Sequence, residues 1–296
     1  MPAPDPNPLK AQLLKASADM HAALADFGFQ PESFDSIITQ TLDRAARLRA
    51  AHAPAAADRL ESLCAEFRDA LALSADPDAR GRAYLALLES TLIGVNASEA
   101  AGPRWLAALD RHCASLSEPS ATPTAGGLTL LTVAQMCIDI GAKATPPAGG
   151  MVRIEWQGWR LALVPAAAET PDQIAPAVAR AADVLRSART PGLIVLDLSQ
   201  PVCPERRALR AVHPDDGAAE LRARLDRLLQ DAKPGIKASA NLDHALGVIG
   251  CAFLSLHLVA AAQVAFITAY RFMSLLDPAD PREHKLARFR VRFGDL

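Results

Sequence analysis

The chain has 296 residues, half of them hydrophobic and 22% charged, and its net charge is -2. That length can bury a substantial core, as one large domain or two modest ones. The near-neutral balance excludes a wholesale polycation, so any contact with nucleic acid must use a local basic surface.

The first eight residues, MPAPDPNP, read as a loose proline-rich tail. No basic segment precedes an apolar run there, so no secretory signal is read and a cytoplasmic protein is expected. From about Pro8 to Leu116 the spacing predicts helices throughout. Leu9–Phe27 sets Leu13, Leu14, Met20, Leu24 and Phe27 on one side. A second helix, capped at Ser33 or Asp35, runs to about Ala51; a third, headed by Pro54, covers Ala55–Leu73. Ala79–Val95 and Pro103–Leu116 complete a helical bundle region over 1–116.

Residues 117–127, SEPSATPTAGG, read as a linker or long loop ahead of an α/β domain at 128–296. Leu128–Ile140 is an apolar helix; then strand, turn, strand, amphipathic helix and strand follow between Met151 and Ser199. Pro201–Pro214 is irregular, and Asp215–Asp231 is a charged amphipathic helix with Leu221, Leu225, Leu228 and Leu229 on one stripe. No charged residue occurs from Ala245 to Tyr270. Gly247 and Gly250 interrupt that run, and His257 and Gln263 lie inside it, so it reads as a buried strand (Gly247–Leu258) and a buried helix (Val259–Leu276) rather than a membrane span. Arg288, Arg290 and Arg292 alternate with Phe289, Val291 and Phe293, which predicts a half-buried strand.

Five cysteines (Cys64, Cys113, Cys137, Cys203, Cys251) are dispersed without a CxxC, as expected of reduced thiols and not of a disulfide framework or zinc site; the adjacent pair His112-Cys113 is a weak ligand set. Phosphate-loop, dinucleotide and hydrolase-elbow motifs are absent from the sequence. His213, beside Pro214-Asp215-Asp216, is a loop histidine of a type that can serve as acid or base, or be incidental.

The helix-strand-strand-helix-strand order, with Ile174, Val178, Ala181, Ala182 and Leu185 lining the second helix and Gly192-Leu193-Ile194-Val195-Leu196-Asp197-Leu198-Ser199 as the strand after it, resembles the restriction-endonuclease-like (PD-(D/E)xK) class. The likeness is to its uncharacterised bacterial members, covers roughly Leu128 to Leu276, and includes Gly247-Val248-Ile249-Gly250-Cys251-Ala252-Phe253 as the next strand. It implies an α/β (α+β) core sheet flanked by helices, and an active site of paired carboxylates with Glu-x-Lys holding Mg²⁺. The Glu-x-Lys position reads Leu163-Val164-Pro165, and no lysine lies between Lys143 and Lys233. The expected function is therefore a catalytically degenerate, nuclease-like module without a cofactor that binds DNA or RNA or serves in assembly. Alternatives are a Mg²⁺-dependent nuclease using relocated carboxylates at Asp139, Glu155 and Asp197, and a protein-binding or homo-oligomeric scaffold. Each candidate also has a plain structural reading: Glu155 a solvated strand residue, Asp197 and Asp139 hydrogen-bonding groups. Trp156 and Trp159, flanking Gln157-Gly158, either stack on bases or cover the core edge. Arg288, Arg290 and Arg292 either contact phosphate or protect an edge strand. Arg206, Arg207 and Arg210 form a second basic spot, read as solvated surface.

Overall fold

The local sequence Trp156-Gln157-Gly158-Trp159 closes the hairpin around which the α/β unit is built. Gln157 and Gly158 both have positive φ (48° and 73°). Two such residues in a two-residue connection match the right-handed twist of the strands they join. The computed structural model describes residues 31–73, 102–116, 127–148, 150–204, 209–239, 243–258 and 263–294. The tail, the helices expected over 9–27 and 79–95, most of the 117–127 linker, and Arg206 and Arg207 lie outside the described residues.

By backbone contacts the described residues fall into two units: those within 1–92, 205–217 and 254–267, and those within 93–204, 218–253 and 268–296. In the first, α1 (Pro31–Ala50) and α2 (Pro54–Leu73) pack on each other. Ile38, Leu42, Ala45 and Leu48 on α1, and Ala57, Leu60, Leu63 and Cys64 on α2, are buried at helical spacing. Between the helices His52 takes φ 61°, while Ala53 N–H donates to the Leu48 carbonyl and His52 N–H to that of Arg49. This pairing satisfies carbonyls left open at the end of α1. Pro54 then starts α2, where its missing N–H costs nothing.

The second unit is a layered α/β structure. Helix α3 (Pro103–Leu116) packs on α4 (Gly127–Asp139). The sheet order is β1 (Lys143–Ala144), β2 (Val152–Trp156), β3 (Trp159–Ala167), β4 (Gly192–Asp197) and β6 (Ala245–Leu258). The β1–β2 and β2–β3 pairs are antiparallel; β3–β4 and β4–β6 are parallel. A parallel pair needs a crossover, supplied by α5 (Ile174–Ser187), which buries Ile174, Ala177, Val178, Ala181, Ala182 and Leu185. After β4 come the short α6 (Ser199–Val202) and β5 (Leu209–Ala211), the latter pairing with Leu256–Leu258 within the first unit. Helix α7 (Pro214–Ser239) buries Leu221, Leu225, Leu229 and Ile236.

Side-chain directions fix the layers. Leu185 of α5 stands over Gly192 and Leu229 of α7 over Gly250, which places both helices on one face. Thr129 of α4 reaches Asp197 on the other face, where Phe289 of α8 (Pro281–Gly294) meets Trp156. Successive strand residues alternate faces, so Leu161, Leu163, Leu193 and Val195 point to α4 and Ala162, Val164, Ile194 and Leu196 to α5; all are buried. Gly192 is demanded by close approach: a Cβ there would stand 2.3 Å from the Ala162 carbonyl oxygen and 2.6 Å from Leu185 Cδ2.

Two sequence expectations are corrected. The segment after β6 was expected to be a helix over Val259–Leu276; instead Gln263–Ser274 is a strand, β7, paired with β6. Leu275 N–H donates to the Leu246 carbonyl and Tyr270 packs on Phe253, so the two strands run in opposite directions. Val264, Ile267, Thr268, Tyr270 and Phe272 are β-branched or aromatic and suit a pleated surface, which outweighs the alanines before them. The arginines expected on a strand at 288–293 lie instead on α8. Asp280 caps that helix, its Oδ1 accepting from Arg282 N–H at 2.8 Å, and Pro281 occupies the first turn. Leu286, Phe289 and Phe293 are the buried residues, spaced for a helix. Among the described residues, no helix is long and apolar enough to cross a membrane.

Candidate functional site

Leu163-Val164-Pro165, the triplet at which the resemblance expected from sequence would require Glu-x-Lys, lies in the middle of β3. Leu163 and Val164 there are buried and pair in register with Leu193 and Ile194; Pro165, half-buried, pairs with Val195. Carboxylate or ammonium groups at this depth would carry a desolvation cost of several kcal/mol each unless paired. The residues present are packing residues, enclosed between α4 and α5.

Asp197 ends β4 and is half-buried. Its Oδ2 accepts from Thr129 Oγ1 at 2.7 Å, and its Oδ1 accepts from Ser199 Oγ at 2.7 Å and Ser199 N–H at 3.0 Å. Ser199 Oγ in turn accepts from Phe253 N–H at 3.1 Å. One carboxylate therefore ties the start of α4, the end of β4, the start of α6 and strand β6. Both of its oxygens are engaged by protein donors.

The other two candidate acids lie elsewhere. Glu155 pairs with Arg160, whereas Asp197 pairs with Ala167 farther along the same strand; at about 3.3 Å per residue the two acids are on the order of 20 Å apart. They also point to opposite faces, Glu155 to the α5 side and Asp197 to the α4 side. Glu155 forms a solvent-exposed ion pair with Arg160 at 3.6 Å. Asp139 is the last residue of α4, exposed, accepting from Gln135 Nε2 at 2.8 Å. The rise of α4 from Thr129 to Asp139 separates it from Asp197 by roughly 15 Å. The three acids do not converge, and among the described residues no group of three His, Cys, Asp or Glu side chains is placed to hold a metal ion. A Mg²⁺ ion does not fit these residues.

Trp156 is buried, its ring edge-on to Phe289 with centroids 5.5 Å apart; Trp159, its cross-strand partner, is half-buried. On α8 the three exposed arginines do not share one face. Arg288 and Arg292 lie one turn apart beside Trp156, Gln157 and His284, while Arg290 lies beside Arg222 and Phe293. His213 is exposed.

All five cysteines are free and buried. Burial pushes the Cys64 and Cys137 thiols up to about 12 and raises Cys251 as well, with the Asp197 charge adding to the last. Because the thiolate is the reactive form, native protein at pH 8 is expected to react with a thiol reagent at far less than one equivalent per chain. Full reaction of all five should follow in denaturant. A fast native equivalent, followed by absorbance of the released chromophore, would contradict this burial.

A different cluster forms where α5 leaves the sheet uncovered. A groove of about 690 Å³ is lined by Lys143, Arg153, Arg160 and Arg189, with Thr145, Thr190 and Glu155. Register builds it: Lys143 lies opposite Glu155, and Glu155 opposite Arg160, so three strands contribute one charged row. Arg153, two residues from Glu155, shares its face. Arg189 comes from the turn between α5 and β4. These four cations escaped the sequence reading because they are scattered over 143–189. The available signal was the Gln157-Gly158 turn, which sets Glu155 opposite Arg160 once the hairpin is recognised. The chain matches no family model, no curated protein and no solved structure.

Proposed function

We propose that this chain is a catalytically silent, nuclease-like α/β protein that binds nucleic acid through its phosphates. The observation that carries the reading is the burial of Leu163 and Val164 at the place where the resembled enzymes keep metal-binding and charge-stabilising groups. The engagement of both Asp197 oxygens by Thr129 and Ser199 supports the loss of catalysis, since a metal would have to displace those donors. The order of a helix, three strands of alternating direction, a helix and a parallel strand supports the nuclease-like part. Local basic surface on a chain of net charge -2 supports the binding part.

Linear DNA, circular DNA and RNA incubated with the protein in Mg²⁺ or Mn²⁺ are expected to stay intact on a denaturing gel, while labelled strands are retained at low salt and released as salt rises. Cleavage abolished by Asp197→Ala or Glu155→Ala would replace this reading with that of an active nuclease. Absence of retention at low salt, with a stable oligomer in solution, would replace it with an assembly role.

A further inference from the structure

We propose that the groove formed by Lys143, Arg153, Arg160 and Arg189 is the phosphate-binding site of this protein; the assignment rests on the binding reading above and gives it a location. Four cations face one acid among the described residues that line the groove, an excess of three positive charges (four minus one), on a chain whose sum is -2. Bulk composition therefore does not produce the patch; strand register does. Lys143 and Arg160 flank Glu155 across adjacent strands, and Arg153 lies on the same face of the same strand as Glu155. The Glu155–Arg160 pair is long, at 3.6 Å, with Arg160 87% and Glu155 43% exposed, so it neutralises the guanidinium weakly. Arginine presents a planar fork of donors that matches phosphate oxygens, and three arginines converge here.

The fourth cation carries an independent mark. Arg189 takes φ 49°, the left-handed conformation that ends α5; Thr190 N–H donates to the Leu185 carbonyl and Arg189 N–H to that of Arg186. Glycine or asparagine is the usual occupant of such a position, and a long side chain there costs roughly 1 kcal/mol. A residue kept in an unfavourable conformation, with its charge lining a groove of like charges, is placed for a ligand of opposite sign.

The ligand chemistry is a phosphate group, from a nucleic-acid backbone or from a free phosphate compound. The test uses the full chain with two probes, a labelled single-stranded oligonucleotide and inorganic pyrophosphate, in about 50 mM salt. The triple variant Arg153→Gln, Arg160→Gln, Arg189→Asn is expected to weaken binding at least tenfold. It should also flatten the salt dependence of oligonucleotide binding by about two units, the share of three lost phosphate contacts on a single strand. Glu155→Gln should tighten binding severalfold, which a variant that merely damages the fold would not do. Asparagine suits the left-handed position and glutamine, though shorter than arginine, keeps an unbranched polar side chain on exposed strand positions, so melting temperatures should stay near that of the parent. Pyrophosphate bound in the groove without oligonucleotide binding would keep the site and remove the nucleic-acid reading. Oligonucleotide binding undiminished in the triple variant would overturn the site and keep that reading. Failure of both probes to bind, or weaker binding by Glu155→Gln, would also overturn the site.

Discussion

Phe289→Ala should lower the unfolding free energy by about 3–5 kcal/mol, the range for emptying a buried aromatic site. Phe289 is among the largest fully buried side chains. Its ring meets Trp156 edge-on at 5.5 Å, stacks on Phe293 at 6.0 Å and lies tilted against Phe272 at 6.4 Å. Truncation removes one ring from the centre of an aromatic cluster that joins α8 to β2 and β7. Two of its three ring neighbours, Trp156 and Phe272, are held by strands, which limits how far the site can close over the lost ring. The comparison that makes the result diagnostic is Val291→Ala. A strand at 288–293 would bury Val291 with Phe289 and Phe293, and its loss would cost more than 1 kcal/mol. On a helix it lies on the opposite side, 60% exposed, and its loss should stay within about 0.5 kcal/mol. Urea denaturation of the two variants measures both; equal losses would contradict the helical packing of α8.

Asp197→Ala is expected to cost about 2–4 kcal/mol, because hydrogen bonds to a charged acceptor contribute more than neutral ones and three donors lose their partner together. Those donors are Thr129 Oγ1, Ser199 Oγ and Ser199 N–H. Asp197→Asn should lose less, since one oxygen remains, but its amide must face a donor and cannot replace both acceptors. A double-mutant cycle with Thr129→Val should show coupling of at least about 0.5 kcal/mol, the signature of groups acting in one network. These variants should leave phosphate binding in the groove unchanged. An Asp197→Ala protein with the parent's denaturation midpoint would show that the carboxylate does not hold the fold, and would return it to the list of candidate catalytic groups.

These two sites also mark where sequence reading succeeds and stops. Helix ends were legible where local chemistry decides them: Pro54 heads α2, and Pro103–Leu116 has the bounds expected from spacing. Strands β2, β3 and β4 were legible because their apolar runs are bounded by glycine, proline and polar turns. The Arg288–Phe293 pattern misled because alternation over six residues also fits one side of a helix at Phe289 and Phe293; the deciding signal, Asp280-Pro281 as cap and first turn, lay upstream. The apolar run from Ala245 to Tyr270 carried no period that separates strand from helix, so its second half was settled by pairing with β6 rather than by local preference. The acids Glu155, Asp197 and Asp139 could be named from sequence, but not their separation, since faces and ends of a sheet follow from register. For the same reason the groove was invisible: four residues spread over two hairpin strands, an edge strand and a connector become neighbours only after β1, β2 and β3 pair.

The shortness of β1 has a consequence for how copies of this chain behave together. A sheet margin offers unpaired N–H and C=O groups on which another extended chain can grow, and long flat margins invite aggregation. Here that margin is two residues, Lys143 and Ala144, and one of them carries a charge. Too few backbone groups are left in line to template a foreign strand, and a second copy arriving in the same orientation would bring its own lysine against the first. The cation that helps seat a phosphate thereby also guards this margin of the sheet against fibrous growth, so its replacement by a β-branched apolar residue would act on colloidal behaviour as well as on binding.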